Sequence, residues 1–181
     1  HEWAFNFIKQ NKEKLHYDCW EEFSKHDWTY DFLIENKDQL TSQCLFELCK
    51  QENTFNLFKD VINNKLNIEY LFELCKYEWS FEFVKENKKY LDKKCWFELC
   101  SHEWAFDFIK IAYNDNLLDK WYVLCKYEWA FEFVKQNQDK LNILNIVELC
   151  SHEWAFEFIK ENKNKLDNLS WSTLNRQPWA L

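Results

Sequence analysis

The sequence predicts an all-α protein, specifically an α-solenoid of about seven two-helix repeats. Three observations carry that expectation. A tryptophan-centred segment recurs about every 25 residues, each period holds two apolar stretches with helical spacing, and the 181-residue chain has no glycine and one proline. Gly-rich phosphate loops, nucleophile elbows and hairpin-rich β folds need glycine where the backbone takes φ > 0 or approaches a ligand closely, so these classes are excluded. Disorder is excluded too, because 47% of the residues are hydrophobic and 20% aromatic.

The recurrence comes first because it sets the organisation. Trp3, Trp28, Trp79, Trp104, Trp129, Trp154 and Trp179 share one local context, with Asn53 in the single vacant phase, and the successive spacings are 25, 25, 26, 25, 25, 25 and 25. Cys100-Ser101-His102-Glu103-Trp104-Ala105-Phe106 returns as Cys150-Ser151-His152-Glu153-Trp154-Ala155-Phe156. Units fall near 1–15, 16–40, 41–66, 67–91, 92–116, 117–141 and 142–166, with a partial unit at 167–181, in one array. Each is too small to bury its own apolar face, so the units are expected to stack, in a hand the sequence does not decide. At ~8–10 Å between neighbouring helices the array would be on the order of 60–70 Å long. Both ends cut through a unit and the chain lacks an initiator Met, as expected of a fragment of a longer array.

Within a unit the longer helix has apolar residues at Trp154, Ala155, Phe156, Phe158 and Ile159, an arc of about 200° that suits contact with both its partner helix and the next repeat. Phe5, Phe81, Phe106, Phe131 and Phe156, with Phe7, Phe83, Phe108, Phe133 and Phe158, are core candidates. The shorter helix places Cys95, Trp96, Leu99 and Cys100 on one face. Asp92, Asp167, Thr41 and Asn142 stand at its N-cap phase, each preceded by Leu and followed by an apolar residue at staple spacing. Pro178 marks the start of the longer helix, at the phase that acids hold elsewhere. With no glycine to stop that helix, Asn11, Asn36, Asn87, Asn137 and Asn162 are predicted to take φ > 0. Two units depart from the pattern: the third has an extra residue before Leu66, and the fifth reads Lys110-Ile111-Ala112-Tyr113 where the helix end is due.

Leu149-Cys150-Ser151-His152-Glu153-Trp154-Ala155-Phe156, followed by Asn162, Lys165, Leu166 and Trp171, resembles the short α-helical repeats of giant-virus proteins, whose unit reads roughly L-S-x-N-P-x-A-I-x-L-L-x-x-N-x-x-K-I-x-W. Leu174-Asn175-Arg176-Gln177-Pro178-Trp179-Ala180-Leu181 resembles it more closely because it keeps the proline. Most units instead have Glu or Asp at the proline and Trp before the alanine. Abundant Asn, Lys, Phe, Ile and Tyr also fit an A+T-rich genome. What the resemblance implies is a viral interaction scaffold with no established chemistry.

No residue set reads as catalytic, so the chain is expected not to be an enzyme. Cys49, Cys75, Cys100, Cys125 and Cys150 share one phase and Cys19, Cys44 and Cys95 another; repeats ~10 Å apart do not bring same-phase thiols to disulfide distance, and Cys-x₄-Cys is a poor zinc spacing. They read as small hydrophobes, with no metal or cofactor. His26, His102 and His152 share a phase with Tyr77, Tyr127, Gln51 and Gln177, which suits N-caps or surface fillers. Glu47, Glu73, Glu98 and Glu148 read as a solvated face.

The formal charge of −8 disfavours nucleic acid, unless Lys85, Lys110, Lys135 and Lys160 align with the aromatics into a single-strand-binding stripe. No run approaches the roughly 18 apolar residues of a membrane span, and the amino terminus lacks a signal-peptide layout. A cytoplasmic location is therefore expected, including the cytoplasm of a host cell. The expected function is a repeat scaffold binding another protein. Tyr70, Tyr90, Tyr113 and Tyr122, near the irregular units, are the candidate partner contacts. The alternatives are a structural spacer and a metal- or single-stranded nucleic-acid-binding repeat protein.

Overall fold

A computed structural model of the chain describes residues 2–62, 66–114, 117–118 and 121–180. These residues form helices and turns, with no β-strand among them. They divide into two compact units, His1–Asp92 and Lys93–Leu181. The first holds α1 (Glu2–Gln10), α2 (Tyr17–Phe23), α3 (Tyr30–Glu35), α4 (Ser42–Leu48), α5 (Phe55–Ile62), α6 (Ile68–Leu74) and α7 (Phe81–Glu86). The second holds α8 (Lys93–Leu99), α9 (Phe106–Asn114), α10 (Trp121–Leu124), α11 (Phe131–Gln136), α12 (Ile143–Leu149), α13 (Phe156–Glu161) and α14 (Asn168–Leu174). In each unit a shorter helix packs on the shorter helix of the next repeat, α2 on α4 in the first, α10 on α12 and α12 on α14 in the second. The segment 63–65, where the third repeat is expected to carry its extra residue, lies outside the described residues, as do His1 and Leu181.

The shorter helices begin as their sequences dictate. The side chains of Thr41, Asn67, Asn142 and Asp167 accept hydrogen bonds from the backbone N–H groups of Cys44, Tyr70, Asn145 and Ser170, satisfying donors that the first turn leaves orphaned. Asn145 reciprocates as an acceptor: its side-chain oxygen accepts from the Asn142 backbone N–H at 2.7 Å, closing a capping box.

The longer helix starts differently from expectation. The acid-Trp-small triplets Asp27–Thr29, Glu78–Ser80, Glu103–Ala105, Glu128–Ala130 and Glu153–Ala155, and Glu52–Thr54 with Asn53 for Trp, are single 3₁₀ turns, and the α-helix proper opens at the aromatic residue that follows. Pro178 and Trp179 lie in a turn. The third residue of every triplet is fully buried, because the tight turn presses it against the carboxyl end of the preceding short helix. Where it carries a hydroxyl, that group caps the helix: Thr29, Thr54 and Ser80 donate to the carbonyls of Phe23, Leu48 and Leu74 at 2.6, 2.7 and 2.5 Å.

The asparagines also end the helix by another route than the one expected. At Asn11, Asn36, Asn87, Asn137 and Asn162 φ lies between −101° and −127°, so none is left-handed. The amide side chain does the work: Nδ2 donates to the carbonyl four residues back, at 2.9, 2.7, 2.8, 2.9 and 2.9 Å onto Phe7, Phe32, Phe83, Phe133 and Phe158. That bond replaces the asparagine's own N–H on the carbonyl at Asn11, Asn36 and Asn137, where the N–H turns to the carbonyl three residues back, and joins it at Asn87 and Asn162. The residue sets helix length. Val61 and Ala112 hold this phase in the two irregular units, and there the α-helix runs to 8 and 9 residues instead of 6. Asn162→Gly is accordingly expected to lose about 0.5–1.5 kcal/mol, since the bond disappears and no positive φ rewards glycine. Chemical denaturation checks this; an unchanged or raised stability would overturn the amide-cap account.

The core is an aromatic ladder. In four repeats a Phe early in the longer helix meets the Trp and the second Phe of the next repeat edge-on: Phe5 lies 4.8 Å from Trp28 and 5.4 Å from Phe32, Phe55 5.0 and 5.5 Å from Trp79 and Phe83. In the second unit Phe106 lies 5.1 and 5.8 Å from Trp129 and Phe133, and Phe131 5.0 and 5.8 Å from Trp154 and Phe158. Edge-on geometry places a positive ring rim on a negative face, which adds to the area buried.

Candidate functional site

The recurrent polar residues are occupied structurally. The phase shared by His26, His102, His152, Tyr77 and Tyr127 makes no cap. Its backbone is extended, which turns the ring onto the indole two residues on: His102 stacks on Trp104 at 4.9 Å, His152 on Trp154 at 4.8 Å, Tyr77 on Trp79 and Tyr127 on Trp129 at 5.2 Å. Imidazole and phenol interchange there because both are flat rings. Gln51 precedes Asn53 rather than Trp, and it donates instead to the Ser24 carbonyl of the previous repeat at 2.8 Å.

The glutamates at the shorter-helix phase are not on a solvated face; they are buried or half-buried. Glu73 accepts from Lys76 at 2.6 Å and from the Tyr77 hydroxyl at 2.8 Å. Burial works to raise its pKa, but those two bonds and the lysine charge prevail and hold it below the usual carboxylate range. Glu98 and Glu148 face the Nε2 atoms of His102 and His152 at 3.5 and 3.6 Å. The lysines of the longer helix form no free basic stripe either. Lys85, Lys110, Lys135 and Lys160 pair with Glu82, Asp107, Glu132 and Glu157 one turn back at 2.9, 2.6, 3.5 and 2.9 Å, while lying over the rings of Phe81, Phe106, Phe131 and Phe156. A carboxylate answers each charge.

Seven of the eight cysteines are buried and Cys19 is half-buried. Burial pushes the thiols of Cys49, Cys100 and Cys125 up to about 12 and that of Cys150 up to about 11. A thiolate is the nucleophile and the metal ligand, so these thiols are poor at both. Among the described residues no three His, Cys, Asp or Glu side chains cluster as a metal site.

The four candidate contact tyrosines separate. Tyr70 and Tyr113 are core residues. The Tyr70 hydroxyl donates to the Ser42 carbonyl at 3.1 Å, and its ring lies 5.5 Å from that of Phe58. Tyr113 sits on the extra turn of α9, 4.4 Å from Trp121. Both fill space inside their units and present no surface to a partner. Tyr90 and Tyr122 are exposed, each under a lysine, Lys89 and Lys126.

What the aromatic pattern did not single out is an open groove of about 350 Å³ at the end of the second unit, lined by Phe156, Ile159, Leu166, Trp171, Leu174 and the stem of Lys160, among others. Trp171 is 43% exposed, while the residues of its column, Trp96, Trp121 and Ile146 in this unit and Trp20, Leu45 and Leu71 in the other, are buried. The reason is on the ladder. Trp96 and Trp121 are covered by Phe108 and Phe133 at 5.0 and 5.4 Å, the second Phe of the following longer helix. Phe156 touches Trp179 at 5.5 Å, and among the described residues no second Phe lies over Trp171.

Compared with family models, curated proteins and solved structures, the chain finds no match. No described helix is long and apolar enough to cross a membrane.

Proposed function

We propose that the chain is a non-enzymatic repeat scaffold, an α-solenoid of about seven units in the manner of the giant-virus helical repeats, and that it binds protein partners by accepting an aromatic helix in the groove beside Trp171. The observation that carries this reading is the half-exposed Trp171 in a column otherwise buried. An amphipathic helix laid in an apolar groove is a standard mode of peptide recognition, and a tryptophan in a pocket is the usual anchor. The pairing of the lysine row with its own carboxylates supports a protein over a nucleic-acid partner.

A synthetic helical peptide with the sequence of residues 153–166 tests it, since that segment fills the equivalent groove one repeat upstream. Binding that shifts tryptophan emission, tolerates salt and fails in Trp171→Glu is the expected result. No binding, together with a salt-sensitive shift by single-stranded RNA, would overturn it in favour of nucleic acid; no binding by either would leave a spacer.

A further inference from the structure

We propose that the turns leading into the shorter helices of the second unit form a peripheral membrane-binding edge, whose ligand is the surface of an anionic lipid bilayer. The inference is independent of the groove beside Trp171. Leu117, Ile143, Leu144 and Leu169 stand at the amino ends of α10, α12 and α14, and they are 57, 53, 65 and 52% exposed. Since α10 packs on α12 and α12 on α14, those ends lie along one edge. Ile143 and Leu144 have a packed repeat on either side and stay exposed, so the exposure belongs to their position within the repeat. The repeat does not require an apolar residue there. Asp18, Gln43, Glu69 and Lys94 hold the phase of Leu144 elsewhere, and each is exposed.

The charge beside these aliphatics is positive. Lys140 precedes Ile143, Lys163 and Lys165 precede Leu169, and Lys93 and Lys94 hold the phases of Ile143 and Leu144 in α8. All five lysines are exposed. None has a carboxylate at ion-pair distance among the described residues, whereas Lys110, Lys135 and Lys160 on the longer helices are each neutralised by an acid one turn back. The acids of the same turns are Asp139 and Asp167, and Asp167 is occupied by the backbone N–H and hydroxyl of Ser170 at 2.8 and 2.7 Å. Free cations thus gather where the aliphatics are, although the whole chain carries a charge of −8.

That combination favours a bilayer over other anionic partners. A single-stranded nucleic acid is held by aromatic rings along a basic groove, and the exposed side chains here are aliphatic. A folded acidic protein is met by a shaped recess. Side chains that protrude from helix ends with more than half their surface free suit a soft medium that closes round them. Shallow insertion, ~5–10 Å into the headgroup and acyl boundary, takes the leucines out of water. The ammonium groups stay at the level of the phosphates, on stems long enough to reach them, and no helix has to span the bilayer.

Flotation of the whole chain with vesicles is the test, using phosphatidylcholine alone or mixed with phosphatidylserine. The expected result is binding to the mixed vesicles at low salt, at least ~10-fold weaker on phosphatidylcholine alone and at ~1 M salt, where surface charges are screened beyond ~3 Å. Lys140→Ala combined with Lys165→Ala weakens binding about 25-fold, about fivefold for each lysine. Leu144→Glu weakens it more than ~10-fold, through lost insertion and added repulsion. Helicity is unchanged in both variants because the side chains are exposed. Glu157→Ala combined with Lys160→Ala removes a neutral pair and leaves binding as it was. No binding to the mixed vesicles, equal binding to phosphatidylcholine alone, or binding indifferent to Leu144→Glu would overturn the proposal. Capture of a polyglutamate peptide by a chain that ignores vesicles would overturn it as well, and would assign the edge to an acidic protein.

Discussion

Phe32→Ala is expected to destabilise the first unit by about 3–5 kcal/mol, the range for deleting a large buried aromatic side chain. Phe32 is buried among three other rings of the ladder's first step. It lies 5.4 Å from Phe5, 5.2 Å from Trp20 in a nearly parallel stack, and 5.9 Å from Phe23, and Lys9 reaches over it at 6.0 Å. Truncation removes the hub that these rings share and leaves a void the helices cannot close, because Leu33 beside it is itself fully buried and neighbouring backbone is held by the Asn36 amide on the Phe32 carbonyl. Phe32→Leu, which keeps most of the volume, should cost well under half as much. Urea unfolding of the two variants beside the parent gives the comparison. Equal losses for Leu and Ala would mean that the site is not filled by shape, and the ladder would lose its role as the main packing device.

Raising the pH above the ordinary thiol range should unfold the protein through its cysteines. Cys49, Cys100 and Cys125 are pushed up to about 12 by burial, and Tyr77 is pushed up to about 12 by burial and by its bond to Glu73. In the unfolded chain a thiol ionises near ~8.5. A raised pKa means that the folded state holds its proton longer, so the stabilising contribution is complete below ~8.5 and is lost as the pH climbs towards 12. Each such thiol contributes a slope on the order of 1 kcal/mol per pH unit, and three together exhaust a typical stability of ~5–15 kcal/mol within a few units. Helicity should therefore collapse between about pH 9 and pH 12, in step with the thiolate absorbance. Replacing the three by alanine lowers stability at neutral pH but flattens its fall in alkali. An unchanged alkaline slope would show that the thiols are not the titrating groups. At neutral pH a thiol reagent should label Cys19 quickly and the buried cysteines only after unfolding.

The helical pairs were legible because period and arc depend on residues that repeat: Leu48, Leu99, Leu149 and Ile159 are fully buried where their spacing puts them. The caps at Thr41, Asn142 and Asp167 were legible for the same reason, since a cap is a local event. Asparagine at the helix end was visible, but not its means. The same residue can accept a positive φ or bond backwards through its amide, and only the packing of the next 3₁₀ turn decides between them. The tyrosines mislead because irregular repeats do not advertise which way they adjust. Ala112 in place of asparagine lengthens α9, and the added turn carries Tyr113 inward. Tyr70 replaces a small cysteine of its column and still fits, because a carbonyl at Ser42 accepts its hydroxyl. The groove at Trp171 has no motif of its own. It is one ladder step with a ring unmatched, a property of neighbours that composition does not carry.

The ring stacked on each tryptophan also governs what the protein does with light. Trp79 and Trp129 lie face to face with Tyr77 and Tyr127 at 5.2 Å, close enough for the phenol to hand its excitation to the indole. Trp28, Trp104 and Trp154 lie against imidazoles, which quench an excited indole by contact. Each unit thus holds a tryptophan fed by a stacked tyrosine at this phase, Trp79 in the first and Trp129 in the second. Excitation into the tyrosine band therefore reaches these two indoles through their stacked phenols, with no label attached.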